Sequence, residues 1–168
     1  SRVAPSPDRV SLARALRGLQ LEGVVAVTSR GPDFEQPPPG LPPALLETLA
    51  LVQALGDAGQ KAPLWLLTEA AESVNGEPVQ RPEQRMISAL GRVVGLEHPD
   101  RFGGLIDLPT ELGQTELRLL TVALAEPSGA TQVALRSTGR YLRRLSVAQV
   151  AETPAPSRVR GTALITGG

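Results

Sequence analysis

The residues with the widest chemical repertoire in this chain lie close together in one loop. His98 is the only histidine, and it stands between Glu97 and Pro99, with Asp100 two residues further on. A histidine oriented by a carboxylate can act as a general base, and Asp107 is a further candidate partner. A tight proline-containing loop more often uses its polar side chains for capping or packing, and we favour that role for His98. An enzyme with a site around Glu97, His98 and Asp107 stays open as an alternative.

Other catalytic patterns are missing from the sequence. No G-x-S-x-G elbow occurs that would hold a nucleophilic serine. The chain has no cysteine and a single histidine, which argues against a metal site. Tyr141 is the only tyrosine, but Leu145 follows it where a short-chain reductase has lysine or asparagine. We therefore predict no catalytic residue and no metal ligand, and we expect Tyr141 to pack across a hairpin.

Arginine is concentrated in the last third of the chain. The residues are Arg136, Arg140, Arg143, Arg144, Arg158 and Arg160. Such a cluster can bind phosphate or an acidic partner. We favour the alternative, in which the charges protect the edge of a hairpin against pairing. The net charge of the whole chain is +0, which argues against binding to nucleic acid.

The C-terminus carries the clearest sign of a binding site. An apolar run, 161–165, leads directly into Thr166, Gly167 and Gly168. A strand followed by glycines is how a dinucleotide-binding turn begins, because glycine lets the backbone approach a pyrophosphate. The helix N-terminus that forms the other half of such a site is not supplied after Gly168. These three residues are thus candidate cofactor-binding residues of an incomplete site.

A helix followed by a strand must position the central loop. Apolar residues at the spacing i, i+3, i+4, i+7 and i+8 predict a helix over 86–94. Its buried face would comprise Met86, Ala89, Leu90, Val93 and Val94, and its outer face Arg85, Ser88 and Arg92. Gly95 is expected to cap the helix in a left-handed conformation. Gly103 and Gly104 would then turn the chain into a buried strand, 105–108.

The remaining segments alternate in the same way. Asp8 is expected to cap a first helix with Leu12, Leu16 and Leu19 inside. An apolar helix, 44–55, suits burial or contact with another domain. A fourth helix is predicted over 110–125, with Leu117, Leu120 and Leu124 inward. Strands are predicted at 23–28, covered on both faces, at 63–68 with Trp65 in the core, and at 131–136 and 140–145.

These elements predict an α/β fold. The alternation of strands and helices indicates a mostly parallel sheet flanked by helices, and the last two strands indicate a C-terminal β-hairpin. The length of 168 residues suits one domain. The chain contains no apolar run that could span a membrane and no signal-peptide pattern, so we expect no membrane contact and a cytoplasmic location.

The central stretch ALGRVVGLEHPDRFGGLIDLP, residues 89–109, resembles the ketoreductase region of modular type I polyketide synthases. The segments 63–68, 132–136 and 139–145 match the same region in order. This region is the structural, non-catalytic subdomain, a truncated Rossmann-like fold that precedes the catalytic one. Residues 161–168 are similar to the opening of the catalytic subdomain, whose pattern continues as T-G-G-T-G-x-L-G.

The resemblance implies an organisation and a function. Residues 1–7 would be a linker, 8–146 the structural subdomain, 147–160 a second linker, and 161–168 the start of the catalytic subdomain. The chain would be a scaffold, inactive alone, for NADPH-dependent reduction of a β-ketoacyl thioester on an acyl carrier protein. NADPH would be bound by the catalytic subdomain, which is the expected partner together with other synthase domains. The alternative is a stand-alone Rossmann-like module that binds a protein without catalysis.

Overall fold

The described residues form one five-stranded sheet. The computed structural model describes residues 8–27, 41–125, 132–147, 161–162 and 164. The strands are β1 Val24–Val27, β2 Leu64–Glu69, β3 Phe102–Leu108, β4 Gln132–Arg136 and β5 Gly139–Leu142. They lie in the order β1-β2-β3-β4-β5, with the first four parallel and β5 antiparallel to β4. The predicted α/β class and the terminal hairpin are confirmed.

Within the described ranges, four helices cover the two faces of this sheet. They are α1 Arg9–Leu16, α2 Pro43–Asp57, α3 Arg85–Glu97 and α4 Gln114–Ala125, and a 3₁₀ turn, Pro82–Gln84, leads into α3. Because side chains alternate along a strand, Leu66 joins the core beneath α1, α2 and α3, whereas its neighbour Leu67 joins the core beneath α4. No helix in the described part of the chain is long and apolar enough to cross a membrane.

The start of α1 follows the sequence prediction. The Asp8 carboxylate accepts hydrogen bonds from the backbone N–H groups of Val10 and Ser11, at 3.2 and 2.9 Å. These bonds satisfy donors that have no partner within the first turn of a helix. Leu12 and Leu16 are buried on the inner side, as predicted.

The prediction for α3 was wrong in its end and in its phase. Gly95 is not a cap: the helix continues to Glu97, and His98 ends it. The buried residues are Ile87, Ser88, Gly91 and Val94, whereas Met86 and Val93 are exposed. The physical reason is close packing, because a Cβ atom added at Gly91 would lie 2.6 Å from the Leu105 side chain. Glycine therefore turns this side of the helix toward the sheet.

The prediction that Gly103 and Gly104 turn the chain before the strand was wrong. Both lie within β3. A Cβ atom on Gly103 would come within 2.5 Å of the Trp65 ring, so the glycine makes room for the buried tryptophan on the neighbouring strand. Trp65 itself is in the core, as predicted.

Two further predictions of burial were wrong. Strand β1 is not covered on both faces, because Val25 and Val27 are exposed and Val27 is 70% accessible to solvent. On α4, Leu120 and Leu124 pack on the core but Leu117 is exposed. Both elements carry more apolar side chains than the neighbouring described elements can cover.

Helix α2 continues two residues beyond the predicted range 44–55, to Asp57. Gly56 lies inside the helix, and Gly59 adopts a left-handed backbone with φ of +68°. The N–H of Gln60 donates to the carbonyl of Leu55 and the N–H of Gly59 to that of Gly56, both at 3.0 Å. This is the Schellman arrangement, which satisfies the last carbonyls of a helix.

Candidate functional site

Polar side chains meet at the carboxyl edge of the parallel sheet. Thr68, Asp107 and Arg136 stand near or at the ends of three neighbouring strands, β2, β3 and β4, and all three are buried. Thr68 pairs in register with Asp107, and Asp107 pairs with Ala134, two residues before Arg136. The carboxyl edge of a parallel sheet is also where α/β proteins bind their ligands.

The Asp107 carboxylate accepts four hydrogen bonds. Its Oδ1 atom accepts from the hydroxyl of Thr68 at 2.7 Å and from the N–H of Ala71 at 2.9 Å. Its Oδ2 atom accepts from the N–H of Glu72 at 3.3 Å and from Arg136 Nη2 at 2.9 Å. Asp107 is only 2% exposed, so these bonds replace its contacts with water.

The Arg136 guanidinium makes five hydrogen bonds. Besides Asp107, its Nη2 atom donates to the Glu72 carbonyl, and its Nε atom donates to Glu77 Oε1 at 2.6 Å. Its Nη1 atom donates to the carbonyls of Leu135 and Asp107. Burial opposes the positive charge, but the hydrogen bonds to Asp107 and Glu77 outweigh it and raise the pKa of Arg136. The group therefore stays charged at any ordinary pH.

The loop between β2 and the 3₁₀ turn folds over this edge. The N–H of Ala70 donates to the Leu108 carbonyl at 2.7 Å, and the Ala70 carbonyl accepts from the N–H groups of Gln80 and Arg81. The buried Gln84 side chain accepts from the N–H of Glu69 at 2.7 Å. These contacts fix residues 70–84 above the strand ends.

This arrangement leaves little room for chemistry at Asp107. A carboxylate offers about four lone-pair positions, and all of them face donors within the protein. The five described strands also follow one another without a reversal of order, whereas open α/β sheets bind ligands where the order reverses. The network is suited to holding strands and loop together.

A cleft of about 400 Å³ lies beside the network. It opens over β4 and β5, next to α3, and its walls include Ser88, Leu105, Ala134 and Tyr141. The Tyr141 hydroxyl lies 2.8 Å from the Thr138 hydroxyl. Thr68, Glu72, Asp107 and Arg143 also line the cleft, so its walls carry carboxylates and a guanidinium beside hydroxyl and apolar groups. The Asp107 carboxylate and the Thr68 hydroxyl are already hydrogen-bonded to each other within the network.

The structure does not assemble the histidine-centred site. His98 ends α3 through a hydrogen bond from its N–H to the Val94 carbonyl at 2.8 Å. It lies at the amino edge of the sheet, just before Phe102 begins β3. Asp107 lies near the other end of that strand, five residues after Phe102 and about 17 Å from it at ~3.3 Å per residue. The alternative site around Glu97, His98 and Asp107 is therefore not formed.

The structure places the other predicted site residues in different surroundings. The prediction that Arg136 protects a hairpin edge was wrong, because its side chain is buried. Arg143 stays exposed, 3.9 Å from a Glu72 oxygen. Tyr141 lies in β5 opposite Ala134, as predicted. Arg158, Arg160 and the cofactor candidates Thr166, Gly167 and Gly168 lie outside the described residues.

Sequence reasoning missed the pairing of Asp107 with Arg136. A signal was present, because Asp107 interrupts the apolar run Leu105–Leu108 and Arg136 ends the next predicted strand. A charge within a buried strand needs a partner, and the ends of neighbouring parallel strands meet at one edge. The two residues could have been paired on that basis.

Comparison with known proteins agrees with this architecture. Residues 3–145 match the family model for the Rossmann fold domain of the polyketide synthase extender module SpnB. The chain is similar to polyketide synthase GfsA of Streptomyces halstedii, with 40% identity over 178 residues that cover 99% of this chain and 2% of GfsA. It is also similar to the pikromycin synthase component PikAIII of Streptomyces venezuelae, with 42% identity over 166 residues that cover 96% of this chain and 10% of PikAIII.

Solved structures give the same result. A C2-type ketoreductase from a modular polyketide synthase superposes with a TM-score of 0.76 and 39% identity, and the match covers 93% of this chain and 36% of the ketoreductase. The chain thus spans about a third of that ketoreductase and a tenth or less of the two synthases. On this fold and these similarities, the chain belongs to the Rossmann-fold domain family of polyketide synthase modules and corresponds to the structural-subdomain region of a modular ketoreductase.

Proposed function

We propose that this chain is a scaffold that supports the catalytic part of a polyketide synthase ketoreductase. Residues 8–146 form the structural subdomain in this proposal, 1–7 and 147–160 are linkers, and 161–168 begin the catalytic subdomain. The scaffold supplies packed surface rather than reacting groups. The family match and the ketoreductase superposition support the assignment to a ketoreductase.

The observation that carries the scaffold role is the occupied carboxyl edge. A nucleotide-binding Rossmann fold keeps a crevice open at this edge. Here the Arg136 side chain and the loop 70–84 cover the ends of β3 and β4, and the Asp107 carboxylate is fully hydrogen-bonded. A buried ion pair with these bonds is costly to break, because one charge would be left without a partner. The hydrogen bonds at the carboxyl edge therefore stabilise the fold and leave the Asp107 carboxylate without a free position for a ligand.

The complete unit, in this proposal, reduces a β-ketoacyl thioester carried by an acyl carrier protein and uses NADPH as the reductant. Thr166, Gly167 and Gly168 begin the turn that approaches the pyrophosphate of NADPH, and the catalytic subdomain supplies the rest of the site. The other domains of the synthase deliver and collect the acyl chain. NADPH supplies the hydride when bound, and this chain contributes the support for the subdomain that holds it.

The test is a fluorescence titration with NADPH on two proteins, this chain alone and the complete ketoreductase that contains it. We expect no saturable binding by the chain alone and saturable binding by the complete protein. Saturable binding by the chain alone would contradict the scaffold proposal. Failure of the complete protein to bind NADPH or to reduce a diffusible β-ketothioester would contradict the assignment to an active reductase.

A further inference from the structure

The cleft beside the Asp107 network lies over a part of the sheet that the described helices leave open. Tyr141 pairs with Ala134 and Ala134 with Asp107, so these side chains lie on the face that carries α3. Helix α3 packs over β2 and β3 on this face, whereas α4 packs on β4 and β5 from the other side. The open floor belongs to a cleft of about 400 Å³, and pockets that hold small molecules measure about 300–1,000 Å³.

One buried hydroxyl in this cleft has no hydrogen-bond partner among the described residues. It belongs to Ser88 on α3, which lines the cleft although it is only 4% exposed. Thr68 and Asp107 also line the cleft, but they are bonded to each other. A buried hydroxyl without a partner costs free energy, and a polar group that enters the cleft beside Ser88 removes that cost.

A loosely held group of charges forms the outer wall of the cleft. Arg143 Nη1 lies 3.9 Å from Glu72 Oε1, and Arg85 Nη2 lies 3.7 Å from Oε2 of the same carboxylate. Both distances exceed the length of a hydrogen bond, and the Arg143 side chain is 55% exposed. The guanidinium of Arg143 can therefore turn its N–H donors to a ligand. We call Glu72, Arg85 and Arg143 the Glu72 cluster.

We propose that the cleft binds a small carboxylic acid that carries a hydroxyl or carbonyl oxygen a few bonds from its carboxylate. Arg143 binds the carboxylate through paired N–H donors, and the Ser88 hydroxyl bonds to the other oxygen. The carbon chain of the acid lies on Leu105 and Ala134 at the floor. This site stands apart from the scaffold function, because it uses the described residues alone.

The charges around the cleft favour a carboxylate over a phosphate. Asp107 is compensated by Arg136, and Glu77, the second partner of Arg136, lies outside the lining. The Glu72 cluster carries two guanidinium groups and one carboxylate, so one positive charge stays uncompensated. A phosphate monoester carries about two negative charges at pH 7, and its excess charge would face Glu72. A carboxylate carries a single charge and matches the planar guanidinium.

The first test measures whether an acid protects the cleft in the complete ketoreductase that contains this chain. The chain has no cysteine, so Leu142→Cys places the only thiol of this region at the cleft, which Leu142 lines. Val122→Cys on α4 is the matched control, since Leu142 is 39% and Val122 50% accessible. If 3-hydroxyhexanoate binds with a Kd of about 1 mM, a concentration of about 10 mM slows maleimide labelling of Leu142→Cys about tenfold. Labelling of Val122→Cys should not change.

Three results of this test overturn the proposal. The first is labelling of Leu142→Cys that the acid does not slow, and the second is equal slowing of the control. The third is a Leu142→Cys thiol that is unreactive before any acid is added, because the cleft is then filled by another part of the polypeptide.

The second test assigns the contact with the carboxylate. In the Leu142→Cys protein, Arg143→Gln should raise the concentration of acid that gives half protection by about tenfold or more, because a charge-assisted bond is lost. The matched control is Arg144→Gln, since Arg144 is exposed and lies outside the lining. This control should leave the concentration unchanged, and equal effects of the two substitutions overturn the proposal.

The third test compares ligand classes. Hexanoate lacks the hydroxyl, so it should need about threefold or more of the concentration at which 3-hydroxyhexanoate protects. Ser88→Ala should abolish this difference, and a Ser88→Ala protein that keeps it overturns the proposed contact. Inorganic phosphate that protects as well as the acid overturns the choice of a carboxylate. None of these measurements uses NADPH, so their failure is distinct from failure of the proposed scaffold function.

Discussion

The two edges of the parallel sheet are held together by different forces. At the carboxyl edge, Asp107 and Arg136 join three strands and a loop through charged hydrogen bonds. At the amino edge, glycines bring backbone and rings into contact, as Gly103 does with Trp65 and Gly95 with Phe102. The carboxyl edge depends on partnered charges, whereas the amino edge depends on shape. Substitutions at the two edges and in helix α2, each with a control, test this comparison from the largest expected effect to the smallest.

Asp107→Ala should have the largest effect. It leaves the buried Arg136 charge without its strand partner, and we expect the free energy of unfolding to fall by about 3–5 kcal/mol, as for other buried pairs that lose one member. Urea unfolding followed by the fluorescence of Trp65, the only tryptophan, measures this change.

The control for this change is Arg143→Ala. Arg143 is exposed and lies 3.9 Å from Glu72, so its removal should cost less than about 1 kcal/mol. If both substitutions cost the same, burial of the ion pair does not determine the stability of the carboxyl edge.

Gly103→Ala tests the amino edge. The added Cβ atom would lie 2.5 Å from the Trp65 ring, and the overpacked ring should lower the free energy of unfolding by about 1–3 kcal/mol. A double-mutant cycle with Trp65→Leu, followed by circular dichroism, should recover much of this loss because the smaller side chain leaves space. Strictly additive effects would mean that the glycine is required for another reason.

Gly59→Ala tests the end of α2 at the same edge. Gly59 has a φ of +68° and no heavy atom within 4 Å of an added Cβ, so the cost is backbone strain alone. We expect a loss of about 1–2 kcal/mol in the free energy of unfolding. Gly59→Asn, which tolerates this conformation better, should cost less, and an equal cost for both residues would contradict the role of the left-handed backbone.

Glu47→Gln should have the smallest effect, and unlike the substitutions above it should stabilise the fold. Burial raises the pKa of Glu47 above 4.5. Because the folded pKa exceeds the unfolded one, the stability of the fold falls as the pH rises from about 4.5 through the folded pKa, and it stays lower at pH 7. Removing the charge should raise the unfolding midpoint slightly at pH 7 and leave it unchanged at pH 4. If the unfolding midpoint rises by the same amount at both pH values, the charge of Glu47 is not the cause.

Much of the fold could be predicted from local sequence signals. Asp8 before a helix, the loop between β4 and β5, and the alternation of apolar segments are short-range features, and the structure confirms what they predicted. The errors concern which neighbour a residue meets. Gly95 was predicted to cap a helix, but in the structure it packs against the Phe102 ring. Gly103 was predicted to lie in a turn, but it packs against the Trp65 ring.

The candidate site was harder to predict for the same reason. Nearness in sequence made Asp107 a candidate partner of His98 in the alternative that was not favoured, but β3 carries the two to opposite edges of the sheet. Arg136, 29 residues beyond Asp107, is its partner. Residues far apart in sequence become neighbours only through strand order and register, which local patterns do not contain.

The sequence alone determined the class of the fold, the hairpin and the resemblance to a ketoreductase structural subdomain, because helix caps, turns and apolar periodicity act within a few residues. The tertiary structure decided which glycines serve packing, which apolar side chains remain on the outer face of α2 and α3, and that Asp107 and Arg136 close the carboxyl edge. Those features depend on the distances between elements, and only the packed sheet sets these distances.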